Sequence, residues 1–192
     1  MGTLLVRAIV ILLLPAAVFF GGVYLTQRLC DPSQLRKTIQ REKDLKGLGL
    51  RFTGYDLEAV KKYWGALHEK DKRMDVEGRS LEIDLLFPFF YGAGFAGALL
   101  CAWAALERPF NPAWILAPVI INVVADWVEN FIQLGQLKLF KAGGEAALQP
   151  GWIQIASIAT IVKAWLFCIS YLLVVGLVVW MIFRNWPRSP AR

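Results

Sequence analysis

Histidine and cysteine are scarce in this chain, which has one His and three Cys among 192 residues. Cys30, Cys101 and Cys168 lie in or beside different apolar blocks and show no C-x-x-C spacing. That pattern excludes a zinc ribbon and gives no disulfide framework, so the three are expected to be small buried apolar residues. The single histidine, His68, sits on a charged stretch and is expected to be solvated. With no His or Cys cluster inside the apolar blocks, zinc and iron are not expected, no metal site is assigned and no cofactor is predicted. Basic runs interleaved with aromatics are also missing, which sets nucleic acid aside as a partner. There is no low-complexity tract, and no polar constellation matches a catalytic signature by spacing.

Apolar residues are abundant. They make up 57% of the chain, and the mean hydropathy is +0.48. A soluble domain is nearer half apolar, so membrane insertion is the first reading. The surplus falls in four blocks, each near the twenty residues that cross about 30 Å of hydrocarbon. The net charge of +6 is concentrated outside those blocks, where it suits anionic lipid headgroups. The fold class expected is all-α, an integral membrane four-helix bundle with an amphipathic helix in its long first loop. It forms one membrane domain over 1–192, with spans at about 4–26, 83–105, 112–136 and 153–183 and an extramembrane helical loop at 27–80.

The first block carries Arg7 ahead of a long apolar run without a small-x-small cleavage site. It reads as a retained span, kinked at Pro15, rather than a signal peptide. Residues 27–80 mix thirteen Lys and Arg with nine Asp and Glu. Within them, 34–45 reads as a charged surface helix. In 56–69, Leu57, Val60, Trp64 and Leu67 recur at helical spacing after the Gly54-Tyr55 turn, with Asp56 as start cap. Trp64 and the basic flanks predict that this segment rests on headgroups.

The second block places Asp84, Pro88 and Tyr91 on one helical face. Pro88 is expected to kink the helix and free the Asp84 carbonyl, and Glu82 on the opposite face reaches water. Gly92, Gly94, Gly97 and Ala98 offer small surfaces for a second helix. Leu106–Asn111 is a tight connection flanked by interfacial Trp103 and Trp114. The third block, 112–136, is apolar enough to span yet holds Asn122, Asp126, Glu129, Asn130 and Gln133 at i, i+4, i+7, i+8 and i+11, one polar stripe on a helix. A charge at mid-bilayer costs roughly 2.5–3.5 kcal/mol on insertion scales, so the stripe should face inward and find partners there. The fourth block is interrupted by Lys163. Two placements fit: a span over 164–183 with Lys163 at the interface, or a tilted span over 153–176 with Lys163 buried. The tail beyond Trp186 is expected to be disordered.

Four antiparallel crossings put Asp84, Tyr91, Asp126, Glu129, Asn130 and Lys163 at one depth, under the loop helix. Asp84, Tyr91, Asn122, Asp126, Glu129, Asn130 and Lys163 are therefore the candidate ligand-binding residues, and Asp126, Glu129 and Lys163 the candidates for any catalysis. A satisfied polar network that only fixes helix register is the competing structural explanation. The long loop and the third loop hold fifteen of the Lys and Arg, which makes the long loop cytoplasmic by the positive-inside rule.

The patterns D-x-x-F-P-x-x-Y at Asp84-Phe87-Pro88-Tyr91 and D-x-x-E-N at Asp126-Glu129-Asn130 resemble an uncharacterised family of bacterial four-span membrane proteins. Phe52-Thr53-Gly54-Tyr55 and the run from Ala156 to Trp165 are similar to it as well, so the resemblance covers most of the chain from about residue 50. It implies the four-span architecture and a place in the bacterial inner membrane, and it implies no reaction. Three functions remain open on the residues. The first is a one-sided acidic pocket that binds a lipid-like or cationic small ligand, in a binding or accessory subunit. The second is a small enzyme using a carboxylate acid/base pair on a lipid. The third is an oligomeric proton or ion transporter, with Gly92–Ala98 as its oligomer face. Membrane lipids are the expected partners, with a homo-oligomer or a larger membrane complex around the chain.

Overall fold

The computed structural model describes residues 2–30, 47–68, 72–107 and 109–185. The expected surface helix at 34–45 and the tail beyond Trp186 lie outside them. The described residues are helical and contain no strand. The helices are α1 (Gly2–Cys30), α2 (Leu57–His68), α3 (Lys72–Asp84), α4 (Phe87–Ala105), α5 (Ala113–Gly143) and α6 (Pro150–Arg184). Among them, four stretches are long and apolar enough to cross a membrane: Thr3–Leu25, Arg73–Ala105, Ala113–Ala147 and Pro150–Arg184. Their outer faces expose Leu5, Val10, Ile120, Val124, Phe131, Leu172 and Phe183, side chains that water would reject and hydrocarbon accepts. The chain therefore has the helices of an integral membrane protein.

Several boundaries differ from those the sequence suggests, each for a local reason. The helix before Pro88 breaks where a kink is expected. Proline lacks an N–H and its ring crowds the carbonyl four residues back, so α3 stops at Asp84 and α4 restarts at Phe87 with proline in its first turn. The carbonyls thus freed are answered from α5. Trp127 Nε1 donates to the Leu85 carbonyl at 2.9 Å, and Asn130 Nδ2 donates to the Asp84 carbonyl at 3.3 Å. α1 runs on through Pro15 as one helix. α5 continues past residue 136 to a glycine stop, with Gly144 at φ 66°. α6 is a single 35-residue helix, about 52 Å at 1.5 Å per residue, and Lys163 lies within it rather than at its start.

Two apolar clusters hold the helices. In one, Ala8 and Ile11 of α1, Phe95, Ala98, Leu99 and Ala102 of α4 with Leu106 just after it, Ile115 and Val119 of α5, and Val174, Leu177, Val178 and Met181 of α6 pack together. Since α1 and α5 enter this end by their first turns, and α4 and α6 by their last, the four helices alternate in direction. Arg184 closes this end by donating to the Leu106 carbonyl at 2.7 Å and pairing with Glu107. In the second cluster, Val60, Tyr63, Trp64 and Leu67 of α2 dock on Leu137, Phe140 and Ile153. Trp64, expected at the headgroups, is 1% exposed and lies 5.8 Å from the Phe140 ring. The apolar face of α2 is thus taken up by protein, because α5 and α6 extend far enough to meet it. His68 is exposed, with its ring edge-on to Phe140.

The small-residue face of α4 is occupied inside the chain. A Cβ on Gly94 would lie 3.4 Å from the Pro15 Cα and 3.2 Å from the Val18 Cβ, and one on Gly92 would lie 2.7 Å from the Val123 side chain. These glycines let α1 and α5 approach α4, so the face is no longer free to join copies of the chain. Cys101 and Cys168, expected to be buried, are exposed on outward helix faces, where a small thiol meets hydrocarbon as readily as it meets a core.

Candidate functional site

Between the two clusters lies the polar stripe of α5. Asn122, Asp126, Glu129, Asn130 and Gln133 are all buried, Glu129 to 1% exposure. Burial of two carboxylates needs a cation, and α6 supplies it. Lys163 Nζ lies 3.0 Å from Asp126 Oδ1 and 2.5 Å from Glu129 Oε2, bridging both. The remaining carboxylate oxygens are also occupied. Asp126 Oδ2 accepts from the Tyr91 hydroxyl at 3.0 Å, and Glu129 Oε1 accepts from Gln133 Nε2 at 2.9 Å. Asn130 Nδ2 also reaches Asp126 Oδ1 at 3.2 Å, which ties the carboxylate to the α3–α4 break. Asn122 Oδ1 is 3.4 Å from the Tyr91 hydroxyl, whose single proton goes to the nearer Asp126. The Asn122 Nδ2 has no partner among the described residues.

Tyr91, Asn122, Asp126, Glu129, Asn130 and Lys163 thus meet in one hydrogen-bonded group. Asp84 joins it through its backbone carbonyl, while its half-buried carboxylate lines the adjoining cavity. Four further residues belong to the site. Tyr55 accepts from Gln133 Nε2 at 2.9 Å through its hydroxyl, and its backbone N–H donates to Ser157 Oγ at 2.8 Å. Tyr63 donates to Glu77 Oε2 at 3.0 Å, and Glu77 is itself buried beside the cavity. The Tyr55 hydroxyl, in the segment ahead of α2, is pushed up to about 12, first by burial and then by the Glu129 charge. The Tyr63 hydroxyl is also raised well above its ordinary value, by burial and then by Glu77.

The Gly54-Tyr55 turn shows how the segment ahead of α2 is seated. Gly54 has φ 84°, and a Cβ there would come within 2.6 Å of Ser157 Oγ. Only glycine both adopts this left-handed conformation and allows the turn to press onto α6. Gln133 appears in the sequence stripe, but its partner Tyr55 lies 78 residues away, and nothing in the local pattern announces it. Glu77 reads as one charge among many until α3 folds it inward.

A cavity of about 860 Å³ opens beside this group. One part of its wall is polar, formed by Glu77, Asp84, Asp126, Asn130 and Lys163; the rest includes Phe19, Phe87, Phe167, Ile161 and Leu81. Exposed Trp165 and Cys168 on α6, and exposed Phe52 and Thr53 ahead of α2, mark where it opens. Glu129 lies behind Asp126 and is not part of the lining. Among the described residues no three His, Cys, Asp or Glu side chains form a group able to hold a metal ion. The arrangement suits holding a ligand that is apolar along most of its length and meets carboxylates at one end. No protein family, curated protein or solved structure is significantly similar to this chain.

Proposed function

We propose that this protein is a four-helix bundle of the bacterial inner membrane, with α2 as the amphipathic helix of its long, cytoplasmic first loop. Its work is to bind a lipid-like or cationic small molecule in the one-sided pocket at Asp84, Tyr91, Asp126, Asn130 and Lys163, as a binding or accessory subunit. The observation that carries this reading is the 860 Å³ cavity, within the roughly 300–1,000 Å³ range of ligand pockets, with acids at one side and aromatic and aliphatic walls elsewhere. A network that served helix register alone would need no such space. The acid/base enzyme has less support, because Asp126 and Glu129 are both committed to Lys163. The conduit has less support too, since the polar stripe ends at Asn122.

Native mass spectrometry of the protein released from a non-ionic detergent tests the proposal. The expected result is a stoichiometric small-molecule adduct that disappears in Ala164→Trp, which puts an indole into the cavity from its lining. Absence of any adduct, together with no retention of added amphiphiles, would refute it.

A further inference from the structure

Resting on that reading, the geometry points to the head group of the ligand: we infer that the pocket selects an amphiphile with a positively charged ammonium head, preferably quaternary. Two independent features of the cavity carry this. The first is its charge. Among the described residues Glu77, Asp84 and Asp126 line it against one cation, Lys163, and that cation is already shared between Asp126 and Glu129. Among the described residues no donor is hydrogen-bonded to the Asp84 carboxylate, although it is half-buried in the wall. An anionic head entering here would meet uncompensated negative charge in a poorly screened site, whereas a cation would complete the Asp84 carboxylate.

The second feature is an aromatic wall. Phe19 of α1, Phe87 and Tyr91 of α4 and Phe167 of α6 all line the cavity and touch in a closed circuit. Ring centroids lie 5.3 Å apart for Phe19 and Phe87, 5.5 Å for Phe87 and Tyr91, 6.0 Å for Tyr91 and Phe167, and 5.5 Å for Phe167 and Phe19. Tyr91 fastens this circuit to Asp126. Rings beside carboxylates suit a quaternary ammonium better than a primary amine, because its methyl groups bring positive charge to π surfaces without needing hydrogen-bond acceptors. Three helices converge to build the wall, which is more than the packing of any one pair requires. The exposed Trp165 and Cys168 put part of the mouth on the outward side of α6, open to an amphiphile from the bilayer, and Phe52 and Thr53 put the rest beside the segment ahead of α2.

Cys168 supplies the readout. In protein carrying Cys30→Ser and Cys101→Ser, the rate of maleimide modification of Cys168 is measured in non-ionic detergent. Amphiphiles of one chain length but different heads are added: trimethylammonium, phosphocholine, primary ammonium, sulfate and maltoside. The expected result is saturable protection by the ammonium heads, strongest for trimethylammonium, and none from sulfate or maltoside. Protection by trimethylammonium but not phosphocholine assigns the ligand to simple cationic amphiphiles; equal protection assigns it to choline-headed lipids. Asp84→Asn should weaken ammonium binding roughly tenfold or more, as loss of a charge-assisted contact does. Phe167→Leu should weaken trimethylammonium more than primary ammonium. Equal protection by every head, unchanged in Asp84→Asn, would overturn the head-group assignment and leave the lipid-pocket reading standing. No protection by any amphiphile would overturn both. The head-group series on otherwise unaltered protein decides the matter even where a variant fails to fold.

Discussion

Lys163→Met is the substitution with the most to say about the site. Methionine keeps nearly the length and volume of lysine and removes its charge, so packing is conserved and the effect is electrostatic. Lys163 holds two carboxylates at 3.0 and 2.5 Å, and those acids are 8% and 1% exposed. Removing one member of a buried ion pair costs roughly 3–5 kcal/mol, because the remaining charge stays in a poor solvent. At about 2–4 °C per kcal/mol for a chain of this length, the melting temperature should fall by roughly 6–20 °C. Scanning fluorimetry in mild detergent at neutral pH reads that shift. The triple variant Lys163→Met, Asp126→Asn, Glu129→Gln should recover much of it, since neutral amides need no cation and can keep Tyr91 and Gln133 as partners. A fall of less than about 2 °C in Lys163→Met would refute the reasoning, as would a triple variant less stable than the single one. Either result would mean that the acids do not carry charge that depends on Lys163.

Three smaller perturbations test the frame around the site. Gly54→Ala puts a Cβ 2.6 Å from Ser157 Oγ in a left-handed conformation, so it should cost about 1–3 kcal/mol in thermal melting and expose the Tyr55 segment to proteolysis. Trp127→Phe leaves the Leu85 carbonyl without its donor at the α3–α4 break and should cost about 1–3 kcal/mol, whereas a loss under about 0.5 kcal/mol would remove the indole from that role. For alkaline pH the sign follows from Tyr55, whose folded value of about 12 exceeds the ordinary 10.0. Its contribution is complete below pH 10 and is lost between there and about pH 12, with Tyr63 acting in the same direction. Near-ultraviolet absorbance should show these two phenols ionising late, together with the loss of fold.

What could be read from the sequence follows one rule: features set by spacing along a helix are visible, and features set by long-range closure are not. Asp126, Glu129 and Asn130 announce themselves because a polar stripe on an apolar helix has a helical period. The sequence leaves Lys163 between an interfacial and a buried place, since an apolar run of this length has no internal marker of depth; in the fold two carboxylates lie at its ammonium group. Pro88 marks its own break, although not the Trp127 and Asn130 side chains that repair it. Trp64 has the composition of an interfacial residue, and only the length of α5 and α6 turns it into a core residue. Tyr55 and Ser157 are 102 residues apart, and no local pattern pairs them. Glu77 and Tyr63 escape notice for a related reason, because mixed charge in 27–80 hides an acid that folds inward.

The most direct test of the pocket is calorimetric titration of a trimethylammonium amphiphile, kept below its micelle concentration, into the protein and into Ala164→Trp. A saturable isotherm with one ligand per chain is expected, abolished in Ala164→Trp while the melting temperature of that variant holds. An unsaturable signal identical in the two proteins would mean that the amphiphile only partitions around the helices, and that the cavity beside Asp84 and Asp126 is not a binding site.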